Sequence, residues 1–153
     1  MRHTLTRVLP YQPDQLFTLV GDVGRYGEFV PWVTSVRTYN PRQISEGVDS
    51  FDSDITVGFS FLKEKFSARV VRNANDMTVQ ASLLSGPFRH LRNEWRFSPD
   101  PKGTRVEFMI DFAFKSRMLD VLLHANFNLA VARLIGCFEG RARSLYGGTP
   151  RLA

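Results

Sequence analysis

The sequence predicts an α+β domain in which a long C-terminal helix lies over a curved, seven-stranded antiparallel sheet. Two patterns predict this class. Between residues 33 and 114, apolar and polar residues alternate in short segments separated by Pro, Gly and Asn, which is typical of antiparallel strands joined by tight turns. From Arg117 to Tyr146, apolar residues recur every three or four positions, which indicates one amphipathic helix. Its predicted apolar stripe consists of Leu119, Leu122, Leu123, Phe127, Ala130, Leu134, Cys137, Phe138, Ala142 and Leu145. A further strand, followed by one or two short helices, is predicted before residue 33.

The N-terminal segment begins with a β-rich stretch from Thr4 to Leu9, which predicts the first strand. Pro13 then opens a short helix, predicted over residues 14–23, because proline and an acidic residue are both favoured in a first helical turn. A further turn at residues 26–29 leads to Pro31 and Trp32.

Six more strands are predicted, over residues 33–39, 48–57, 63–71, 77–83, 91–97 and 106–114. The last of them alternates most clearly, and period two places five apolar side chains on one face: Val106, Phe108, Ile110, Phe112 and Phe114. Charged residues occupy its opposite face. One polar and one apolar face are expected of an antiparallel sheet that is covered on a single side.

The C-terminal helix is predicted to start after Ser116 as N-cap and to stop at Gly147. At about 1.5 Å per residue it spans roughly 45 Å, enough to cross the whole sheet. A strongly twisted sheet of seven strands curls. A straight helix on its concave side meets the rims before the middle, so we expect a hollow beneath it. Residues 1–147 form one domain in this interpretation, and 148–153 form a loose tail.

The composition favours a single domain in a reducing compartment. The chain has 153 residues, 43% of them hydrophobic, and no internal repeat. Cys137 is the lone cysteine, which excludes an internal disulfide. The first residues lack the pattern of a secretory leader, so we expect a cytoplasmic protein, at most peripheral on the inner membrane face. The net charge of +5 favours anionic partners such as phospholipid headgroups or RNA, or serves solubility alone.

Several motifs, spread over nearly the whole chain, resemble one known family. They are Tyr26-Gly-Glu-Phe29-Val-Pro31-Trp32, Lys65-Phe66, Gly86-Pro87-Phe88-Arg-His-Leu91 with Trp95-Arg-Phe97, Asp111-Phe112-Ala-Phe114-Lys115-Ser116, and Phe138-Glu-Gly-Arg141-Ala142. With the order of elements, they resemble the helix-grip fold of the START and polyketide cyclase superfamily. Within it, the chain is similar to the coenzyme Q-binding START-like family.

The resemblance implies a carrier for ubiquinone or a related polyisoprenoid lipid that supports respiratory coenzyme Q function. The same family includes a bacterial ribosome-association toxin, so a ribosome-bound regulator of translation is the alternative. The basic end of the C-terminal helix, with Arg133, Arg141, Arg143 and Arg151, is the predicted contact for it. The wider superfamily also includes aromatases and cyclases, which makes such an enzyme a third hypothesis.

The predicted ligand-contact set consists of apolar side chains on the inner faces of the strands and helix, with two amides among them. It comprises Trp32, Phe51, Ile55, Val57, Phe66, Val79, Leu83, Phe88, Leu91, Asn93, Trp95, Phe108, Ile110, Phe112, Leu122, Asn126, Phe127 and Ala130. These residues are either pocket wall or ordinary core. The two amides are candidate hydrogen-bond partners of a quinone carbonyl, or buried amides bonded to backbone. Trp32 and Phe88 lie in connections, as gate or as aromatic cover of the core.

A second predicted site is the hairpin that follows Val57. Its residues Phe59, Phe61, Leu62, Lys63 and Lys65 combine an apolar tip with flanking cations. Such a tip either docks on a membrane or partner surface or folds back onto the core. Alternation places Lys65 on the opposite face from Phe66, at the rim or surface.

The sequence contains little that favours catalysis. Three histidines are scattered without metal-ligand spacing, and no HExxH, GxSxG or CxxC motif occurs. We therefore expect a binding protein without catalytic residues, metal, resident cofactor or DNA partner. His90, beside the Gly-Pro-Phe turn, is the one side chain that a cyclase-type mechanism would use. The pattern leaves the oligomeric state open.

Overall fold

The computed structural model describes residues 1–59 and 62–147, apart from the side chains of Phe59 and Leu62. The predicted tail at 148–153 and the predicted docking residue Phe61 therefore lie outside the described residues.

The element order is the one expected from the sequence. The elements are β1 (Arg2–Leu9), α1 (Pro13–Gly21), a 3₁₀ helix (Val23–Glu28), β2 (Val33–Ser45), β3 (Val48–Phe59), β4 (Leu62–Asn73), β5 (Thr78–Ser85), β6 (Phe88–Asp100), β7 (Gly103–Phe114) and α2 (Arg117–Tyr146). The strands form a single antiparallel sheet in the order β1-β7-β6-β5-β4-β3-β2. β2 to β7 follow one another as a meander, and β1 closes the far edge against β7.

The register separates an inner face, which α2 covers, from an outer face. One inner row crosses four strands as Val79, Trp95, Phe108 and Leu5. The next inner row contains Ala81, Asn93, Ile110 and His3. Because side chains alternate along each strand, the charged residues between these positions face outward.

Some predicted boundaries were wrong, for identifiable backbone reasons. β2 was expected to end at Tyr39, but a bulge between Tyr39 and Arg42 absorbs Asn40, whose φ is 54°, and the strand continues to Ser45. Met77 was placed in a strand, yet its φ of 54° puts it in the preceding turn. The short helix ends at Gly21, and the 3₁₀ helix carries the chain onward.

The buried end of the core is aromatic. Phe138 of α2 lies 4.8 Å from the ring of Trp95 and 5.1 Å from both Tyr26 and Phe29. Tyr26 donates its hydroxyl hydrogen bond to the carbonyl oxygen of Val20. Burial, together with the Asp22 carboxylate, raises the pKa of Tyr26, so the phenol remains a neutral donor. This cluster fixes the C-terminal half of α2 against the sheet.

The two halves of α2 differ in packing. Val131, Ile135, Phe138 and Ala142 in its second half are buried, and the first two of these were missing from the predicted stripe. The first half, residues 117–126, has no fully buried side chain, although Leu119 and Leu123 pack partly buried against the core; Phe127, directly after the kink, is buried. Leu145, which the stripe included, is half-exposed near the C-terminal end. The backbone leaves helical geometry at Asn126 (φ −121°, ψ 15°), between the two halves. The kink was not predicted.

Candidate ligand-binding groove

The inner face of the sheet is sealed at one end and open at the other. On β3 to β6 the residues nearest the β2–β3 and β4–β5 turns are buried, as Phe51, Val79 and Trp95 show. Towards the β3–β4 hairpin several inner side chains are half-exposed, although the register turns them towards α2, whereas Phe112 and Phe114 of β7 at the same end are buried. These residues are Ile55, Val57, Phe66, Leu83, Leu91 and Ile110, and we call them the mouth. Solvent reaches them because α2 does not close this end.

The first half of α2 explains the open mouth. Met118 and Val121 are 71% and 70% exposed, and Leu122 is 49% exposed. Large apolar side chains that remain this exposed contribute little packing between α2 and the sheet. The groove is therefore roofed firmly at its far end, and only loosely at the mouth.

Aromatic rings form one rim of the mouth. The ring of Phe88 stacks on Phe114 at 4.8 Å and meets Phe66 edge-on at 5.4 Å. In the sheet, β5 lies between β4 and β6. Phe66 of β4 and Phe88 of β6 meet beyond the end of β5, so the two strands approach each other there. Phe88 thus bridges the two sides of the groove.

Two polar side chains lie on the inner face within the otherwise apolar row. The side-chain amide of Asn93 donates to the carbonyl oxygen of Met109 at 2.8 Å. Its own carbonyl oxygen has no hydrogen bond within the described residues. The register places His3 on the same row, on the other side of Ile110, and its ring meets Phe127 edge-on at 5.4 Å. Asn93 and His3, each able to donate and accept a hydrogen bond, therefore lie on opposite sides of the apolar Ile110 in this row.

His3 was missed by the sequence reasoning. It lies on a strand two positions from Leu5, so period two marks it as inward, but its neighbour across the sheet is more than one hundred positions away in the chain. Only the pairing of β1 with β7 brings His3 beside Ile110 and into one row with Asn93.

The other predicted ligand-contact residues fall into three groups. Phe51, Val79, Trp95, Phe108, Phe112 and Phe127 are buried and form the floor and the sealed end. Trp32 and Ala130 are half-exposed at the edges, and the backbone carbonyl of Trp32 accepts from the amide of Gly58 at 2.8 Å. Leu122 and Asn126 are exposed on α2, away from the line of Phe127 and Val131, so we leave them out of the groove.

The side chain named for a cyclase-type mechanism does not face the groove. His90 is 53% exposed, and its Nε2 lies 3.1 Å from Oδ1 of Asp111 on the outer face. Within residues 1–59 and 62–147, no group of three or more metal-ligating side chains comes together. Cys137 is half-buried, and burial raises the pKa of its thiol, which keeps it protonated and weakly nucleophilic.

The predicted docking hairpin is described in part. Lys63 and Lys65 are exposed, and Lys65 is on the face opposite Phe66, as alternation indicated. The apolar side chains of its tip, at 59–62, lie outside the described residues.

The outer face carries a network of ion pairs that stiffens β2, β3 and β4. Asp52 accepts from Arg42 and from Arg69, each at 2.9 Å, and its side chain is only 4% exposed. The hydrogen bond from Arg69, with those from Asn40 and Arg42, lowers the pKa of Asp52 to about 2. Hydrogen bonds from Ser67, Arg37 and Tyr39 likewise lower the pKa of Asp54 to about 2. This face is therefore built of engaged charges and does not resemble a binding cleft for an apolar molecule.

Comparison with known proteins adds relatives with this architecture. Residues 9–139 match the family described as polyketide cyclase / dehydrase and lipid transport. The chain is 34% identical over 143 residues to the ribosome association toxin RatA of Rickettsia prowazekii, covering 92% of this chain and 94% of that protein. It is also 34% identical over 117 residues to the mitochondrial coenzyme Q-binding protein coq10 of Schizosaccharomyces pombe, covering 74% of this chain and 69% of that protein.

A solved structure shows the same fold at higher identity. The 18 kDa protein CC1736 of Caulobacter crescentus superposes with a TM-score of 0.82 at 53% sequence identity, covering 97% of this chain and 99% of that one.

Proposed function

The chain belongs to the polyketide cyclase / dehydrase and lipid transport family, and from this membership we propose that it carries ubiquinone or a related polyisoprenoid lipid in support of respiratory coenzyme Q function. The membership confirms the START-like helix-grip assignment made from the sequence. We propose that the protein acts by binding and not by catalysis, in the cytoplasm or at the inner face of its membrane.

The observation that carries the proposal is the half-open inner face. Ile55, Leu91 and Ile110 face α2 in the register yet remain accessible, whereas the sealed end of the same face is buried. A ligand that fills the mouth removes apolar surface from water, worth about 25 cal/mol per Å². The fold has a hydrophobic ligand-binding cavity, and its relative coq10 is named for coenzyme Q binding.

The polar row gives the ligand its orientation in this proposal. Pockets for small molecules are mostly apolar, with a few polar groups that hold one end of the ligand. Asn93 and His3 are such groups, and each offers a hydrogen bond to a quinone oxygen. The isoprenoid tail then lies towards the mouth, along Leu91 and Phe66.

The test is direct binding of ubiquinone to the purified protein, compared with squalene, a hydrocarbon without a head group. We expect wild type to bind the quinone more tightly, and His3→Phe combined with Asn93→Leu to lower quinone affinity about tenfold while leaving squalene affinity within twofold. His3→Phe retains the ring contact with Phe127. Wild type that binds neither compound, and that carries no quinone when it is extracted from cells, would contradict the proposal.

A second function is favoured by the relative named a ribosome association toxin, which matches almost the full chain. Arg133 and Arg143 of α2 are exposed, as a phosphate-binding surface requires. Arg141, which the sequence placed with them, is held by Glu28 at 2.7 Å and stacks over Phe29. Arg151 of the same predicted set lies outside the described residues.

Co-sedimentation with ribosomal particles tests this second function. Phosphate contacts weaken steeply with salt, so binding at low ionic strength should fall as salt is raised, and Arg133→Gln with Arg143→Gln should reduce it further. No sedimentation with ribosomes even at low salt would exclude it.

A further inference from the structure

The topology gathers several segments at the open end of the groove. The β3–β4 hairpin, the β5–β6 turn at Gly86 and the junction of β7 with α2 all lie at this end, because Phe114 pairs with Phe88 and Ser85 pairs with Ser67. We call this the docking end. The mouth defined above opens beside it.

Four of the eight large apolar side chains that are exposed among the described residues lie at the docking end. The first two turns of α2 expose Met118 by 71%, Val121 by 70% and Leu122 by 49%, and Leu84, on the outer face of the sheet next to the β5–β6 turn, is 43% exposed. A patch of this kind on a domain surface marks a site of interaction. Within the described residues, nothing of this chain covers it.

The fully exposed charges around the patch are all positive. Lys63, Lys65, Arg89, Lys115 and Arg117 are all exposed, and none of them forms an ion pair within the described residues. Two of the acidic groups nearby are engaged, and a third lies beside Val57 of the mouth. Asp120 accepts from the backbone amide of Phe114 at 2.8 Å, Asp111 faces His90 at 3.1 Å, and Glu64 is half-buried on the inner face.

From this combination we propose that the docking end seats on the surface of a bilayer containing anionic phospholipid. Apolar side chains enter the boundary between headgroups and acyl chains, and surrounding lysines and arginines meet lipid phosphates, as in monotopic helices. A protein partner would not require five free cations around the patch. The helix α2 is long and apolar enough by composition to cross a membrane, but its second half is packed on the sheet, so it lies on the bilayer.

Binding of the docking end to the bilayer also turns the mouth of the groove towards the membrane. The mouth opens at the docking end, so an isoprenoid ligand passes between membrane and protein without crossing water. Asn126 marks the point where the first half of α2 can tilt while the second half stays anchored. This last step rests on the proposed function, whereas the docking surface stands on exposure and charge alone.

The experiment is vesicle flotation of the full chain. The vesicles are phosphatidylcholine alone, or phosphatidylcholine with about a quarter phosphatidylglycerol, at low and high salt. We expect wild type to float with the anionic vesicles and to be released by salt. Met118→Glu combined with Val121→Glu should lower the partition coefficient at least tenfold, and Lys115→Gln combined with Arg117→Gln should lower it about tenfold or more.

Matched controls use exposed side chains far from the docking end. Ile44 is 58% exposed beside the β2–β3 turn, and Leu145 is 51% exposed at the other end of α2. Ile44→Glu with Leu145→Glu, and Arg133→Gln with Arg143→Gln, should each stay within twofold of wild type. Circular dichroism melts check that every variant is folded.

Three results would overturn the proposal. The wild type does not float with anionic vesicles, or the variant with Met118→Glu and Val121→Glu floats as well as wild type. In the third, the control variants lose as much vesicle binding as the docking-end variants. Ubiquinone binding in solution separates this proposal from the proposed function. If the wild type binds quinone but not vesicles, the membrane-docking proposal is contradicted and the carrier function is not. If the wild type binds vesicles but no quinone, the carrier function is contradicted and the membrane-docking proposal is not.

Discussion

At the scale of single residues, Gly86 shows how backbone geometry shapes the rim of the groove. Its φ is 144°, and a Cβ atom added there would lie 2.6 Å from Cβ of Phe66. An L side chain is strained in that conformation and collides with β4 as well. Glycine therefore allows β5 to end and Phe88 to reach Phe66.

We expect Gly86→Ala to destabilise the fold by about 1–3 kcal/mol, because it combines a strained φ with a steric clash. Gly136→Ala is the matched control, since that glycine lies within α2 and a Cβ there meets nothing within 4 Å. The control should be neutral or stabilising by up to about 1 kcal/mol. Urea unfolding of both variants measures the difference, and equal stabilities would contradict this role of Gly86.

Asp52 shows how a charge can be nearly buried on the outer face of a sheet. Arg42, Arg69 and Asn40 cover its carboxylate and donate hydrogen bonds to it. The hydrogen bond from Arg69, with those from Asn40 and Arg42, holds the pKa of Asp52 at about 2, against 3.8 ordinarily. A lowered carboxyl pKa contributes stability that is complete above the unfolded pKa and is lost as pH falls through the folded one.

The wild-type free energy of unfolding should therefore decline between about pH 4 and pH 2, in part through Asp52. Asp52→Asn should lower stability at neutral pH and flatten that part of the acid decline. Glu46→Gln, which removes an exposed carboxylate at the β2–β3 turn, should change neither. Urea titrations at several pH values provide the measurement. An Asp52→Asn variant with the same acid decline as wild type would show that this carboxylate is not responsible.

At the scale of elements, α2 is one helix in sequence and two in packing. Its second half is held by Phe138, by the ion pair of Arg141 with Glu28 and by the hydroxyl of Tyr146, which donates to the carbonyl of Gln15 at 2.9 Å. Its first half exposes Met118 and Val121 instead. Local stability follows buried contacts, so the two halves should open with different free energies.

Hydrogen exchange measured by mass spectrometry tests this difference. Amides of residues 117–126 should exchange at least tenfold faster than those of residues 131–142, because opening the first half exposes little new apolar surface. Phe138→Ala should accelerate exchange in the second half and cost about 3–5 kcal/mol of stability. Uniform protection along α2 would contradict the division at Asn126.

At the scale of the whole molecule, the groove depends on a mismatch between a curved sheet and a helix whose buried side chains all follow its kink at Asn126. The sheet curls, and the helix contacts it at the sealed end through Phe138 and Val131. The mouth residues remain half-exposed because the first half of α2 contributes no buried side chain. Ligand binding therefore depends on the space above Ile110 and not on the stability of the domain.

Ile110→Trp should fill that space and reduce ubiquinone affinity at least tenfold, with a change in stability of about 1 kcal/mol or less, since the site is half-open. Met109→Trp is the matched control because Met109 precedes Ile110 on the same strand and faces outward. It should bind the quinone within twofold of wild type. Loss of binding in both variants, or in neither, would contradict the placement of the ligand in the mouth.

Much of the fold follows from local rules of the sequence. Period two in the strands and the three-and-four spacing in α2 are set by backbone geometry, so element order, inner faces and the bounds of α2 were all predicted. The errors concern Asn40 and Met77, whose left-handed backbone depends on the strand that each one faces.

The tertiary structure decided which apolar side chains meet, because the period of a strand and the residue spacing of a helix do not contain that information. His3 meets Phe127 and shares a row with Asn93 only after β1 pairs with β7, and Leu122 is exposed although its spacing placed it on the apolar side of α2. Local sequence determines which side of an element is apolar, since that depends on neighbours along the chain. Whether an apolar side is filled, open or exposed depends on how distant elements curve around it, and this is why the mouth and the docking end emerge only from the assembled domain.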